Sequence, residues 1–267
     1  AAVKALDEKL GLDRPIWQQY ASFMGRTLTG DFGTSMATGE PILHRIVGSL
    51  PPTIELTLAA VIVGVATGVP IGVASALHRN RIVDYASRLL SLVGLSFPVF
   101  VSGIFLLLAF AVHWRIFPVL GDLQNGDVFG NLRKLVLPAL TLGLVMAAYV
   151  IRVTRSAMLQ VLGEDYIRTA RAKGVTQHRV VYTHGLRNAA LPVVTVVGLY
   201  AGILLGNSAL TEIVFNRQGL GSLIVGALNQ RDYTMLQGLM VGYCLLIVVV
   251  NLVTDIVYGV IDPRVQV

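Results

Sequence analysis

The sequence is dominated by apolar runs that are each long enough to cross a lipid bilayer. A transmembrane helix needs about twenty mostly apolar residues, and five runs are of about that length. The chain is 54% hydrophobic and only 13% charged, whereas about a quarter of the residues of a soluble domain are charged. We therefore predict an all-α, polytopic membrane protein. The predicted spans are about 54–77, 89–112, 135–151, 189–210 and 235–261.

The residues before the first predicted span form a more polar segment, 1–53. Trp17, Tyr20 and Phe23 are spaced as on one face of a short amphipathic helix. The GDFGTS sequence at Gly30–Ser35 and the pair Pro51-Pro52 predict a loop and a turn. We interpret 1–53 as an external segment at the membrane surface, and 54–267 as the membrane domain.

The distribution of Lys and Arg predicts which connections lie inside the cell. The connections 78–88 and 152–188, with the tail after 261, are about twice as dense in Lys and Arg as the remaining connections. Basic residues concentrate in cytoplasmic loops, so these segments are placed inside and Ala1 outside. A further span before Ala1 would return the N-terminus to the inside, which predicts six spans in the full protein.

Glycine recurs at every fourth position in the first and fourth predicted spans. Residues four apart lie on one helix face, and glycine there lets two backbones approach closely. Glycine is also common in membrane helices generally, but three in register in each of two helices favour packing faces. These predicted helix-packing residues are Gly64, Gly68, Gly72, Gly198, Gly202 and Gly206.

The sequence contains no recognisable motif for energy coupling or for catalysis. The spans carry few ionisable groups, with Glu55 and Glu212 at the predicted outer ends, which disfavours an ion-coupled carrier. GxxxxGK[ST], HExxH and GxSxG are all absent, the five histidines are scattered, and Cys244 is the single cysteine. We predict a non-enzymatic chain with no catalytic, cofactor-binding or metal-binding residues. Active transport would then require energy from another chain.

One polar stretch, Leu162–Pro192, lies between two predicted spans on the inner side. Glu164 and Asp165 open a predicted helix that ends near Lys173, before Gly174, which suits a left-handed helix cap. A second short helix is predicted over about 177–186. Two interpretations remain at this point: a solvated basic loop, or a docking site for a cytoplasmic protein. A nucleic-acid site is discarded, because aromatic residues do not alternate with the basic ones.

The polar stretch also resembles a segment found in a known protein family. GEDYIRTARAKG followed by HGLRNAALPVVT resembles the EAA loop of bacterial ATP-binding-cassette importer permeases, and is similar to that of the dipeptide/oligopeptide/nickel family. Further segments resemble the first-permease type of that family, including LPPTIELTLAA, LSFPVF, TEIVFNRQGLG and VTDIVYGVIDPRV. The chain departs from the pattern at Arg168-Thr169-Ala170, where the general loop has Glu-Ala-Ala, and at Arg217-Gln218, where Trp-Pro is usual.

The resemblance implies a permease subunit that imports di- or oligopeptides across a bacterial inner membrane. Glutathione, nickel complexes and opine-like compounds are the alternatives within the family; an ion-coupled carrier, a channel or a membrane scaffold is less favoured. Implied partners are a second permease, two cytoplasmic ATPase subunits that bind ATP and Mg²⁺, an external substrate-binding protein and the lipid bilayer, but no nucleic acid. The implied ATPase-coupling residues, within the loop 152–188, are Glu164, Asp165, Arg168, Thr169, Ala170, Arg171, Lys173 and Gly174.

Overall fold

A computed structural model describes residues 13–118 and 127–261, and helices account for most of them. The predicted all-α fold is confirmed, and an isolated bridge between Thr34 and Pro41 is the one strand-like pairing in these two ranges. The helices are α1 (Ile16–Leu28), α2 (Ile42–Leu77), α3 (Ile82–Ser96), α4 (Val99–Leu106, continued by π-helical turns over Leu107–His113), α5 (Val128–Leu162), α6 (Asp165–Ala172), α7 (Gln177–Val214), α8 (Leu220–Asn229) and α9 (Tyr233–Ile261).

Within the described ranges, four helices are long and apolar enough to cross a membrane: α2, α5, α7 and α9. The predicted span at 89–112 is not one straight helix, because the chain breaks there into α3 and α4, which meet at 104°. The break lies at Phe97-Pro98. The proline ring disfavours helical geometry at the residue before it, and Phe97 is extended, with φ −102° and ψ 142°. The predicted number of five spans holds when this bent pair is counted as one.

Several helices are longer than their predicted spans. α2 begins at Ile42, so the predicted turn at Pro51-Pro52 is wrong and both prolines lie inside the helix. Tertiary packing sustains this part of α2, because the buried Ile42 and Ile46 contact α8 and α9. The short helix predicted over about 177–186 forms, but it is not separate from the span that follows it. Wide π-helical turns over Val180–Leu186 join it to the rest of α7, and the chain continues as one helix to Val214.

The most extensive packing is between α2 and α5, at the centre of the bundle. The first predicted glycine row lies in this interface: Gly64, Gly68 and Gly72 of α2 face Met146, Val150 and Thr154 of α5, respectively. A Cβ built on Gly68 would lie 2.7 Å from the Val150 Cβ, and one on Gly72 would lie 2.6 Å from the Thr154 Cβ. These separations are too short for two carbon atoms, so glycine is what allows the two helices to approach.

The second predicted glycine row is less uniform. Gly198 packs directly against Thr254 of α9, and a Cβ on Gly202 would lie 3.6 Å from the Asn251 Oδ1, an ordinary contact distance. A Cβ on Gly206 would meet no atom of the described residues within 4 Å. Close helix approach in this row is therefore confined to Gly198.

The two rows supply a matched pair of substitutions. Replacing Gly68 with alanine is expected to lower the free energy of unfolding relative to Gly206→Ala by about 1–3 kcal/mol, the usual range for overpacking. The added methyl group meets the Cβ of Val150 and lies 3.1 Å from the Ala147 carbonyl oxygen, and neither atom can move freely. Both variants gain the same helix propensity of alanine, so the difference reports the clash.

Thermal unfolding of the two purified variants in detergent measures this difference. Equal melting temperatures would show that α2 and α5 separate enough to accept a methyl group.

Candidate functional site

A short helix and its glycine turn form an elbow, defined here as residues 164–176, between α5 and α7. Its helix, α6, ends in a Schellman motif: the Val175 N–H donates to the Ala170 carbonyl at 3.2 Å, and the Gly174 N–H donates to the Arg171 carbonyl at 3.0 Å. Gly174 has the left-handed φ of +76° that this motif requires. The predicted left-handed cap at Gly174 is therefore present, and it fixes the direction of the chain after α6.

One buried side chain anchors the elbow to the bundle. Ile167 is fully buried, and α6 packs against the π-helical turns of α7. Val181, in those turns, packs in turn with Met158 of α5 and Ala189 of α7. α6 is thus packed on the π-helical turns of α7, which in turn pack on the last turns of α5.

The rest of the elbow faces solvent. Ala170 is half-buried, while the other predicted coupling residues are exposed: Glu164, Asp165, Arg168, Thr169, Arg171, Lys173 and Gly174. Arg168 Nη1 lies 3.4 Å from Asp165 Oδ1, and a pair this exposed contributes little stability. A Cβ on Gly174 would meet nothing within 4 Å among the described residues. The structure therefore brings all eight predicted coupling residues together on a small, largely exposed tip that carries three basic and two acidic side chains.

A buried carboxylate near the elbow was missed in the sequence. Asp84 of α3 is fully buried, and its two oxygens accept hydrogen bonds from Arg155 of α5 at 2.6 and 3.0 Å. Arg88 donates at 2.5 and 3.2 Å, the Ser75 hydroxyl at 2.7 Å, and the Asn80 N–H at 2.9 Å. Asp84 therefore holds the C-terminal end of α2, the start of α3 and the last turns of α5 together. The spacing of Asp84 and Arg88, four residues apart, was the available sequence signal.

A second buried carboxylate lies at the opposite end of the bundle. Glu212 was placed at the outer end of its span, but the sequence did not show that it is fully buried. It accepts hydrogen bonds from the Thr53 hydroxyl at 2.7 Å, the Ser222 N–H at 3.0 Å and the Ser208 hydroxyl at 3.3 Å. Glu212 thus joins α2, α7 and α8, and both of its oxygens have donors.

Asp232 forms a third junction, in the connection between α8 and α9. It accepts hydrogen bonds from the Ser35 hydroxyl at 2.5 Å, the Met235 N–H at 3.0 Å and the Ala37 N–H at 3.2 Å. Burial alone would raise the pKa of the Asp232 carboxyl, but these hydrogen bonds outweigh burial and hold the pKa below its ordinary value. The charged carboxylate therefore attaches the loop that precedes α2 to the start of α9.

Comparison with known proteins shows which family the chain belongs to. Residues 68–267 match the family described as binding-protein-dependent transport system inner membrane component. The chain belongs to this family. The permease is 40% identical to the dipeptide transport system permease protein DppB of Escherichia coli strain K12, in an alignment that covers 97% of this chain and 83% of that protein. It is also 41% identical to the glutathione transport system permease protein GsiC of Salmonella typhi, over 97% and 82% of the two chains.

Solved structures agree on the fold. A chain of the inward-facing MetNI methionine ABC transporter superposes on this permease with a TM-score of 0.66 and 20% identity, covering 84% of this chain and 99% of that one. A chain of an amino acid ABC transporter solved with histidines gives a TM-score of 0.59 at 16% identity, over 80% and 92% of the two chains. The family match and the two relatives confirm the resemblance to ATP-binding-cassette importer permeases, and this chain is a multi-pass membrane permease of that type.

Proposed function

We propose that this permease imports dipeptides and similar short peptides across a bacterial inner membrane, with energy from separate ATPase subunits that dock on the elbow. The observation that carries the substrate class is the 40% identity to a dipeptide permease over 97% of the chain. In this proposal the permease pairs with a second permease and receives substrate from an external binding protein. Two cytoplasmic ATPase subunits hold ATP and Mg²⁺, and this chain performs no chemistry.

The elbow has the properties that a docking site needs. Its tip is exposed and made of small and basic residues, so a partner can approach its backbone closely. Ile167 fixes its position, and the Schellman motif at Gly174 fixes its shape. A rigid projection transmits displacement better than a flexible loop, since a flexible loop would absorb the motion within itself.

A continuous set of contacts leads from the elbow to the rest of the bundle. α6 contacts the π-helical turns of α7, which pack with Met158 of α5. Close by on α5, Arg155 is paired with Asp84, which holds α2 and α3. When the ATPase subunits close, we expect these helices to tilt as a unit, and rigid-body tilting is one established way to alternate access.

Glutathione is the second candidate substrate. The 41% identity to a glutathione permease is as high as that to the dipeptide permease. Glutathione is itself a tripeptide, so both relatives favour a short peptide. Nickel complexes and opine-like compounds have no supporting observation among the residues described.

Uptake by the reconstituted importer tests this proposal. Proteoliposomes that contain both permeases and the ATPase subunits, with the binding protein outside and ATP inside, are expected to accumulate labelled dialanine. Unlabelled glutathione, added in excess, reports by competition whether it shares the route. Vesicles without the ATPase subunits, with or without an imposed proton or sodium gradient, are the control and should accumulate none. Gradient-driven uptake without ATPase subunits would overturn the proposal in favour of an ion-coupled carrier.

A further inference from the structure

One face of α3 is polar and buried, and the opposite face is apolar or aromatic and exposed. The buried residues of this helix are Asp84, Ser87 and Ser91. The exposed residues of the opposite face form one row, called here the outward row: Ile82, Tyr85, Leu89 and Leu92. Ile82 is 86% exposed and Leu89 is 62% exposed. A helix on a soluble protein turns its apolar face inward, whereas a helix in a bilayer turns its polar groups toward the bundle.

α3 runs alongside α5 at the end of the bundle that carries the elbow. Asp84 is bonded to Arg155 of α5, and a Cβ on Gly94 would lie 3.6 Å from both the Ala148 Cβ and the Leu144 carbonyl oxygen. The two helices are therefore close to antiparallel, and α5 is long and apolar enough to cross the membrane. The outward row extends over about 15 Å, which is half of the roughly 30 Å of hydrocarbon in a bilayer.

The turn that connects α2 to α3, residues 78–81, carries positive charge without a nearby acid. Arg79 and Arg81 are exposed, and neither side chain makes an ion pair or a hydrogen bond among the described residues. Asp84 is the one acidic residue in the sequence from 56 to 121. Its two oxygens are bonded to Arg155 and Arg88. Two exposed guanidinium groups therefore lie directly before the start of the outward row.

We propose that this surface binds an anionic phospholipid of the inner leaflet. The headgroup phosphate contacts Arg79 and Arg81, and one acyl chain lies along the outward row. A guanidinium group can donate two parallel hydrogen bonds to a phosphate, and Tyr85 is of the aromatic type that is enriched where headgroups meet hydrocarbon.

The order of groups along the surface favours lipid over a second permease as the occupant. Unpaired basic side chains are followed by an apolar row, and an anionic leaflet presents phosphate followed by hydrocarbon in the same order. The choice of the inner leaflet rests on the proposed function, because docking of ATPase subunits on the elbow places this end of α5 on the cytoplasmic side.

Photolabelling of the assembled importer in phosphatidylcholine nanodiscs tests this site. Trace phosphatidylglycerol with a photoreactive acyl chain is compared with phosphatidylcholine that carries the same chain. Phosphatidylglycerol is expected to label the α3 peptide in preference. In the double variant Arg79→Gln, Arg81→Gln this labelling ratio should fall by about 5- to 25-fold, because each basic residue near an anionic surface contributes a factor of about five.

A second double variant, Arg14→Gln with Arg26→Gln, is the matched control. It removes the same charge from two exposed arginines in the segment before α2, and it should keep the wild-type labelling ratio. Since Arg79 and Arg81 have no partner among the described residues, their double variant should melt at the wild-type temperature in phosphatidylcholine. A lower melting temperature would show that the two arginines support the fold, and the headgroup role would be wrong.

Three further results would overturn the site. Equal labelling of wild type by the two lipids would show that the surface has no preference for an anionic headgroup. Crosslinking of the outward row to the second permease, with no lipid labelling, would show that the partner permease covers it. Loss of the preference in the presence of glycerol 3-phosphate, which has the phosphate but no acyl chain, would indicate a site for a soluble phosphate.

This experiment needs neither ATP nor peptide, so its outcome is separate from that of the uptake assay. ATP-driven uptake of dialanine with equal labelling by the two lipids would overturn the lipid site alone. A preference for phosphatidylglycerol that depends on Arg79 and Arg81, in an importer that takes up no peptide, would overturn the proposed function alone.

Discussion

Replacing Asp84 with alanine is expected to lower the free energy of unfolding of the permease by about 2–4 kcal/mol. Removing one partner of a buried ion pair typically costs about 3–5 kcal/mol, because the other charge is left without compensation. Here the side chain of Arg155 is only 20% exposed, so its guanidinium would remain largely away from water. Arg88 is 48% exposed and can turn toward solvent, which places the expected loss below the upper end of that range.

Unfolding of purified variants in detergent, followed by temperature or by denaturant, measures this loss. Glu40→Ala is the matched control, since it also removes a carboxylate 3.0 Å from an arginine, but from an exposed pair that is expected to contribute less than about 1 kcal/mol. A double variant, Asp84→Ala with Arg155→Met, should recover part of the stability because the largely buried guanidinium of Arg155 is no longer left without its partner. A double variant less stable than Asp84→Ala alone would contradict this account.

Replacing Gly174 with tryptophan is expected to reduce substrate uptake per ATP hydrolysed by about ten-fold or more, the equivalent of about 1.4 kcal/mol of lost coupling. A Cβ at Gly174 would meet no atom within 4 Å among the residues described, so the side chain starts into open space and its bulk is expected to act on a docked partner. The variant protein should still insert and fold. Uptake and ATP hydrolysis, measured in the same proteoliposomes, give the ratio.

Backbone strain is the competing explanation for a Gly174 variant, because its φ of +76° is unfavourable for most residues. Gly174→Asn is the control, since asparagine tolerates left-handed geometry and is small. We expect the asparagine variant to keep most of the coupled uptake. An equal loss of coupled uptake in both variants would show that the effect comes from strain in the Gly174 turn and not from a bulky side chain on the docking surface. Normal coupled uptake in the tryptophan variant would exclude the tip from the docking site.

Local patterns predicted the elbow well. The acidic start, the basic end and Gly174 predicted where α6 begins and ends, because capping and the helix dipole depend on neighbouring residues. The repeat at Gly64, Gly68 and Gly72 likewise marked the face of α2 that contacts α5. The same repeat in α7 predicted close packing at Gly206 that the described residues do not show. The spacing indicates which helix face lacks side chains, but not whether another helix packs against that face.

The helix boundaries show where hydropathy alone fails. The predicted span over 89–112 is apolar on both sides of Phe97-Pro98, so hydropathy did not show how sharply the chain bends there. Pro51-Pro52 was assigned to a turn, yet α2 continues through it because Ile42 and Ile46 are held by α8 and α9. A proline ends one helix and is accommodated in another, and the difference lies in what the neighbouring turns pack against.

The sequence by itself determined the number of membrane-length apolar runs, the position of the elbow and the resemblance to importer permeases, because length, capping and motifs are local properties. Only the tertiary structure decided how the few buried charges are used. Asp84 meets Arg155 and Glu212 meets Thr53 across separations of 71 and 159 residues, and Arg217 lies near Glu55 with two of its nitrogens unused. Such pairings depend on which helix faces meet in the bundle, and that depends on the packing of every helix at once.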